Sequence, residues 1–270
     1  MRIQPKKSLG QNFLVDRNIR NKIIASLDLR PDDIVLEIGS GKGELTKAIA
    51  GQVKKVYAIE IDKRLLETLT GAVSSINNVR IINEDILKFD FSEFFTENKI
   101  KGRLKVFGNI PYYISSPIIE RLLDFHEKIS SVFITVQKEF AKRVVAIPGN
   151  KDYGSFSCFV QYYALPRIIF DISRNCFKPS PKVDSSFLEL KIRKIPEFIL
   201  KDEKLFFKVI RSAFNQRRKV LTNSLFGVVT PEALRFFFQK SGLNPLVRPE
   251  RLGLKDFALL ADTQYLLKNT

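Results

Sequence analysis

The stretch FGNIPYYIS (107–115) sets an amide, Asn109, ahead of a rigid Pro111 and two aromatic rings, Tyr112 and Tyr113. It follows the segment LKV (104–106), so it is expected just past a strand end. It holds no histidine and no carboxylate. Such a set suits a nucleophile that needs no strong base: the exocyclic amine of a nucleobase, whose lone pair is conjugated into its ring. The Asn109 side-chain carbonyl and the Ile110 backbone carbonyl can accept the two N–H bonds of that amine and favour a pyramidal nitrogen. Pro111 fixes the turn that aims both acceptors, and Tyr112 offers a face for the base to stack on. Asn109 and Tyr112 are therefore the candidate catalytic residues. An ordinary turn explains Asn109 and Pro111 but not the motifs around them.

The electrophile is indicated by EIGSGKG (37–43), between an expected strand and helix. Gly39 and Gly41 allow a tight turn and a close approach by a cofactor. The dinucleotide fingerprint needs glycine at position 44, where Glu44 stands, and acid at a helix start disfavours a pyrophosphate. The pattern suits S-adenosylmethionine. Glu60, 21 residues after Gly39, ends the next strand, where a carboxylate can accept both ribose hydroxyls. Asp85, in NEDIL (83–87), follows the third strand and can accept the adenine amino proton. Singly, either acid is an ordinary cap or surface charge; at successive strand ends they describe a nucleoside site. With one histidine and two cysteines in the chain, no metal site is expected. His126 reads as a helix-end residue.

Positioning these groups requires an α/β fold, and apolar runs alternating with helical patterns from Ile34 to about Ile195 supply it. Strands are expected at 34–38, 56–61, 79–82, 104–107 and 131–137, with helices between them in a parallel sheet. Two more, 167–172 and 186–192, are joined by about 14 residues and suggest an antiparallel pair at one edge. From Pro196 the pattern becomes helical: EKLFFKVIRSAFNQ, RKVLTNSL, PEALRFFFQKSG and FALLADTQYLLK. The expected division is 1–195, a Rossmann-like sheet domain that includes the basic segment 1–30, and 196–270, a small all-α domain.

Charge identifies the partner class. The 270 residues carry a formal +16, and 191–220 hold ten Lys/Arg against Glu197, Asp202 and Glu203. Positive charge of this size favours polyanions, because each neutralised phosphate releases a counterion. Arg217, Arg218 and Lys219 are expected to fan over a helix and grip RNA phosphates, against the plainer reading of a solvated cluster. No run of 18 uncharged apolar residues occurs, and MRIQPKKSLGQ lacks the apolar centre of a secretory signal, so a cytoplasmic chain with no membrane partner is expected.

Taken together, EIGSGKGELT, AIEID, EDIL and NIPYYIS resemble, in order and spacing, the ribosomal RNA adenine N6-dimethyltransferases. SLGQNFL (8–14), QKEFAKRV, YGSFSCFVQYY and FKPSPKVDS look like further signatures of that family. SAFNQRRKVLTNSL and RPERLGLKDF look like its KsgA-type small-subunit members rather than those that methylate large-subunit rRNA. The resemblance implies dimethylation of two adjacent adenosines of small-subunit (16S) rRNA by a monomer that meets the rRNA or a pre-30S particle. It implies that the basic segment 1–30 completes the cofactor site of a methyltransferase domain, that Asn12 and Leu14 touch the cofactor and that Phe177 packs on a flipped adenine opposite Tyr112. Ser180 and Tyr113 depart from the family's usual proline and asparagine. The alternatives are a large-subunit (23S) rRNA methyltransferase and a non-catalytic RNA-binding assembly factor.

Overall fold

A computed structural model describes residues 4–6, 9–216 and 219–269 of the 270. The elements run β1 (Phe13–Leu14), α1 (Arg17–Ser26), β2 (Ile34–Ile38), α2 (Glu44–Ala50), β3 (Lys55–Ile59), α3 (Lys63–Val73), β4 (Val79–Ile82) and α4 (Phe91–Glu97). They continue β5 (Leu104–Asn109), α5 (Ser115–Asp124), β6 (Ile129–Gln137), α6 (Lys138–Val145), α7 (Ser155–Tyr163), β7 (Ala164–Ile172), β8 (Phe177–Lys178) and β9 (Ser185–Ile192). Four helices close the chain: α8 (Glu203–Asn215), α9 (Leu221–Ser224), α10 (Pro231–Ser241) and α11 (Leu254–Asn269).

The chain forms two compact units, Met1–Ala141 with Leu165–Ile192, and Lys142–Ala164 with Arg193–Thr270. The first is built on a seven-stranded sheet of order β4-β3-β2-β5-β6-β9-β7. β4, β3, β2, β5 and β6 are parallel, and β9 runs antiparallel to β6 from Ser131↔Lys191 to Gln137↔Ser185. Parallel strands covered on both faces read as continuous apolar runs, and in β2 and β3 every residue after the first is buried. Helices start where a side chain can satisfy free N–H groups: Asp16, Asp62 and Asp90 accept from Ile19, Arg64 and Glu93 at the starts of α1, α3 and α4. The core under α1 and α2 gathers Ile23, Leu27, Val35, Ile49, Val56, Phe107, Phe133 and Phe187.

Every strand expected from periodicity is present, with ends shifted by up to three residues. The sequence reading lacked the two-stranded ribbon, β1 against β8, which pairs Phe13↔Lys178 and Leu14↔Phe177 antiparallel. Two-residue strands carry too few positions for any period to register. His126 opens a short 3-10 turn at the end of α5, its Nδ1 3.0 Å from the Leu123 carbonyl.

In the second unit, α11 packs on α8 and α10. Tyr162 and Tyr163 of α7 form an aromatic cluster with Phe206 and Phe207 of α8. Both tyrosine hydroxyls donate to Glu203, at 3.1 and 2.5 Å. The basic segment differs from expectation. α8 stops at Asn215 and Gln216 leaves the helical region (φ −127°, ψ 51°), so no helix carries Lys219, which is exposed in the link before α9. Arg217 and Arg218 lie outside the described residues.

Candidate cofactor and target-base site

The C-terminal ends of β4, β3, β2 and β5 converge on one cleft, about 1000 Å³ counted out to its open mouth, at the edge where open α/β sheets bind ligands. The turn after β2 forms its floor. Gly39 and Gly41 take positive φ, +76° and +58°, which side chains of L-residues rarely adopt. The Gly39 and Ser40 N–H groups donate to the Ile59 carbonyl at 2.9 and 3.1 Å, clamping the turn to the end of β3.

Glu60 is the first residue beyond β3 and only 5% exposed. Its Oε2 accepts from the Gly41 N–H and its Oε1 from the Asp62 N–H, both at 2.8 Å. Burial raises its pKa above the ordinary value, and those backbone donors oppose the rise. Each oxygen keeps acceptor capacity for a hydroxyl. Asp85 lies half-buried after β4, with Oδ1 on the Leu87 N–H at 3.0 Å. Ile61, Leu65 and Ile86 line the wall between the two acids. Two carboxylates, an apolar wall and a floor without Cβ atoms fit a nucleoside with a cationic tail, the chemistry of S-adenosylmethionine.

Glu37 was not singled out in the sequence beyond its place in the glycine motif. It is buried on β2, and its Oε2 has no hydrogen-bond partner among the described residues. Burial pushes its carboxyl up to about 8, Thr46 opposing and the neighbouring charge of Glu60 adding to the rise.

The N-terminal segment Leu9–Phe13 crosses the cleft and lines it. Three ties hold it. β1 pairs with β8. Gln11 Nε2 donates to Asp62 at 2.9 Å, while Arg64 grips the same carboxylate and holds it well below the usual range. Asn109 Nδ2 donates to the Asn12 carbonyl at 3.1 Å. A carbonyl partner fixes which end of the Asn109 amide is nitrogen, so Oδ1 is the end left to accept.

Asn109 ends β5, Pro111 follows at φ −59° and ψ 135°, and Tyr112 opens a 3-10 turn. Asn109, Ile110, Pro111 and Tyr112 all line the cleft. The Tyr112 hydroxyl lies 2.5 Å from Ser185 Oγ at the start of β9. Burial raises the phenol pKa, Ser185 opposes, and the charge of Asp184 adds to the rise. Ser185 went unnoticed in the sequence, where the first of two serines in VDSSF carries no signal of a contact 73 positions away.

Asn12, Gly39, Gly41, Glu60, Asp85, Asn109 and Tyr112 are thus brought to one cleft. Leu14 lines a side pocket that shares Phe13, Gly39, Gly41 and Asn109 with it. Phe177 does not reach the lining: it is 4% exposed and packs in the core with Leu14, its ribbon partner. Among the described residues no group of three or more His, Cys, Asp or Glu could hold a metal ion, and no helix is long and apolar enough to cross a membrane.

The comparisons agree with this geometry. Residues 2–263 match the family model for ribosomal RNA adenine dimethylase. The chain is 45% identical to the ribosomal RNA small subunit methyltransferase A of Caldanaerobacter subterraneus subsp. tengcongensis, covering 98% of this chain and 99% of that one. A dimethyladenosine transferase from Plasmodium falciparum superposes with a TM-score of 0.76 at 26% identity, covering 92% and 95% of the two chains. The 23S rRNA methyltransferase ErmE does so at 0.74 and 25%, covering 94% and 100%. The chain belongs to the ribosomal RNA adenine dimethylase family.

Proposed function

We propose that this protein is an S-adenosylmethionine-dependent enzyme that dimethylates the N6 amino groups of two adjacent adenosines near the 3′ end of small-subunit (16S) rRNA. The observation that carries the chemistry is the Asn109 amide, locked by the Asn12 carbonyl so that its oxygen is the free acceptor at the end of β5. The 45% relative is a small-subunit enzyme, whereas the 23S enzyme is 25% identical, which favours the small-subunit target. Glu60, Asp85 and Asn109, all present on one cleft, argue against a non-catalytic assembly factor.

In this mechanism Glu60 accepts the ribose hydroxyls and Asp85 the adenine amino group. Gly39 and Gly41 leave the floor open, and Asn12 and Leu14 close the cofactor from the N-terminal side. Bound there, S-adenosylmethionine supplies a methyl made electrophilic by its sulfonium. Asn109 Oδ1 and the Ile110 carbonyl accept the two protons of the target amine and stabilise the positive charge that grows on nitrogen. Tyr112 stacks on the flipped base and restricts it to the line of attack. The methylated ammonium releases a proton to water; a second transfer would need S-adenosylhomocysteine exchanged for fresh S-adenosylmethionine, and the N-methyl amine, with one N–H left, would then donate to only one of the two acceptors.

The domain reading goes with it: 1–195 performs the transfer and 196–270 binds rRNA, Lys219 and its neighbours Arg217 and Arg218 meeting phosphates. Phe177 joins the base pocket only after the β1–β8 ribbon shifts, since it is buried beside Leu14. A monomer in the cytoplasm acting on a pre-30S particle completes the proposal. It is tested by incubating small- and large-subunit RNA and particles with labelled cofactor and mapping the product. Label on paired small-subunit adenosines is expected, and label confined to large-subunit RNA overturns the target.

A further inference from the structure

Ser185 is fully buried, and its hydroxyl has one hydrogen-bond partner among the described residues, the Tyr112 phenol at 2.5 Å. Its backbone is held on both sides. Ser185 faces Gln137 in the β6–β9 ladder. Before it, the Asp184 carbonyl accepts from the Lys138 N–H and Asp184 Oδ1 from the Arg174 N–H, both at 3.0 Å. After it, Ser186 Oγ donates to Asp171 at 2.7 Å, and Asp171 pairs with Lys138 at 2.6 Å. The backbone that carries this hydroxyl is therefore held by the sheet, and the side chain on it is fully buried.

The phenolic oxygen lies on the Cβ–Cγ axis, so anchoring it fixes χ1 and with it the direction in which the ring extends. Rotation of the ring about χ2 is limited only by the packing of the half-buried side chain. Tyr112 starts a 3-10 turn, half-buried, and within hydrogen-bond reach its hydroxyl meets β9. Only the ring faces remain for another role. The phenol stays protonated through neutral pH because burial raises its pKa. It gives the target amine no base, so any contribution it makes is one of placement.

We propose that Ser185 is a positioning residue for methyl transfer, fixing the direction in which the Tyr112 ring extends so that it stands where the target base is received before RNA binds. The proposal rests on the assignment of Tyr112 as the base platform. It predicts that the bond acts on the chemical step and not on the cofactor: Ser185 lines neither the cleft nor its side pocket.

The test is a cycle of Ser185→Ala, Tyr112→Phe and the double variant, assayed with labelled S-adenosylmethionine on small-subunit particles. Each single change removes the same bond from one side and is expected to lower kcat about fivefold, the effect of one hydrogen bond. Calorimetric affinity for S-adenosylmethionine and the pH profile of turnover stay as in the wild type. The double variant is expected to be no slower than the slower single, as for two ends of one interaction. Losses that multiply, wild-type kcat in both singles, or a pH profile altered by Tyr112→Phe overturn the proposal. Should Ser185→Ala fail to fold, Tyr112→Phe decides alone, a wild-type kcat overturning it. A wild-type protein inactive on every rRNA instead strikes the proposed function, so the two failures are separable.

Discussion

Asn109 Nδ2 donates to the backbone carbonyl of Asn12 across 3.1 Å, joining the end of β5 to the segment that crosses the cofactor cleft. The Asn109 nitrogen ties down the N-terminal segment, and its oxygen is the end left to accept, the role proposed for it toward the target amine. Asn109→Ala loses both. Turnover is expected to fall about 100-fold, the scale of one lost transition-state hydrogen bond, with RNA affinity little changed. Asn109→Asp separates the two functions, because a carboxylate keeps the acceptor but repels the Asn12 carbonyl. Its cofactor affinity is expected to drop more than that of Asn109→Ala, read by calorimetry.

Glu60→Ala and Asp85→Ala each remove an acceptor for the nucleoside and are expected to weaken S-adenosylmethionine by about 1–3 kcal/mol. Glu60→Ala should sit at the upper end, since it also strands the Gly41 and Asp62 N–H groups. Glu60 has a raised pKa, so as pH falls it gains a proton above the ordinary value of 4.5 and loses acceptor strength. Cofactor affinity is expected to weaken on acidification from neutral pH toward 5 in the wild type, and less so in Glu60→Gln. Equal pH dependence in both proteins removes Glu60 from that role.

Tyr112→Ala takes away the ring, whereas Tyr112→Phe takes away only its tether. Turnover should collapse in the first, by about 100-fold, since base–aromatic stacking contributes about 1–3 kcal/mol. A phenylalanine variant as inactive as the alanine one is incompatible with a stacking face.

Glu37 makes a claim on stability. Its pKa is about 8 in the folded chain against 4.5 ordinarily, so the folded state binds the proton more tightly. The associated stabilisation is complete below pH 4.5 and is lost as pH rises through 8. The full span corresponds to at most about 5 kcal/mol. Glu37→Gln, neutral at every pH, is expected to hold its thermal midpoint better than the wild type between pH 6 and 9. Parallel melting curves across that range dismiss the buried acid as a source of alkaline instability.

Replacing Arg217, Arg218 and Lys219 by alanine should leave S-adenosylmethionine affinity intact and weaken rRNA binding. The slope of log K against log salt is expected to shrink by about 2–3, each phosphate contact contributing about 0.7–0.9. An unchanged slope returns these residues to the solvated surface.

The strands and the acids at their ends were legible because the parallel sheet is buried on both faces and its turns are short. Ile34–Ile38 and Lys55–Ile59 read as apolar runs, and Glu60 and Asp85 stood one to three residues beyond such runs. What escaped depends on partners distant in sequence: Ser185 meeting Tyr112, Gln11 reaching Asp62, and β1 finding β8. Phe177, expected on the base, is buried beside Leu14 in this structure. Lys219 is not on a helix for a local reason: α8 ends at Asn215, and helical periodicity locates such ends poorly.

Because β9 runs against β6, its first residue lies at the same end of the sheet as the last residue of β6. The connection from Ile172 to Ser185 therefore returns to the rim of the cleft without crossing the sheet, both its ends anchored by sheet strands. A parallel strand in that place would have delivered its leading end to the far edge. The reversal makes 173–184 a strap along that rim. Its β8 residues also pair with β1, so this one connection joins the start of β9 to the N-terminal segment that lines the cleft.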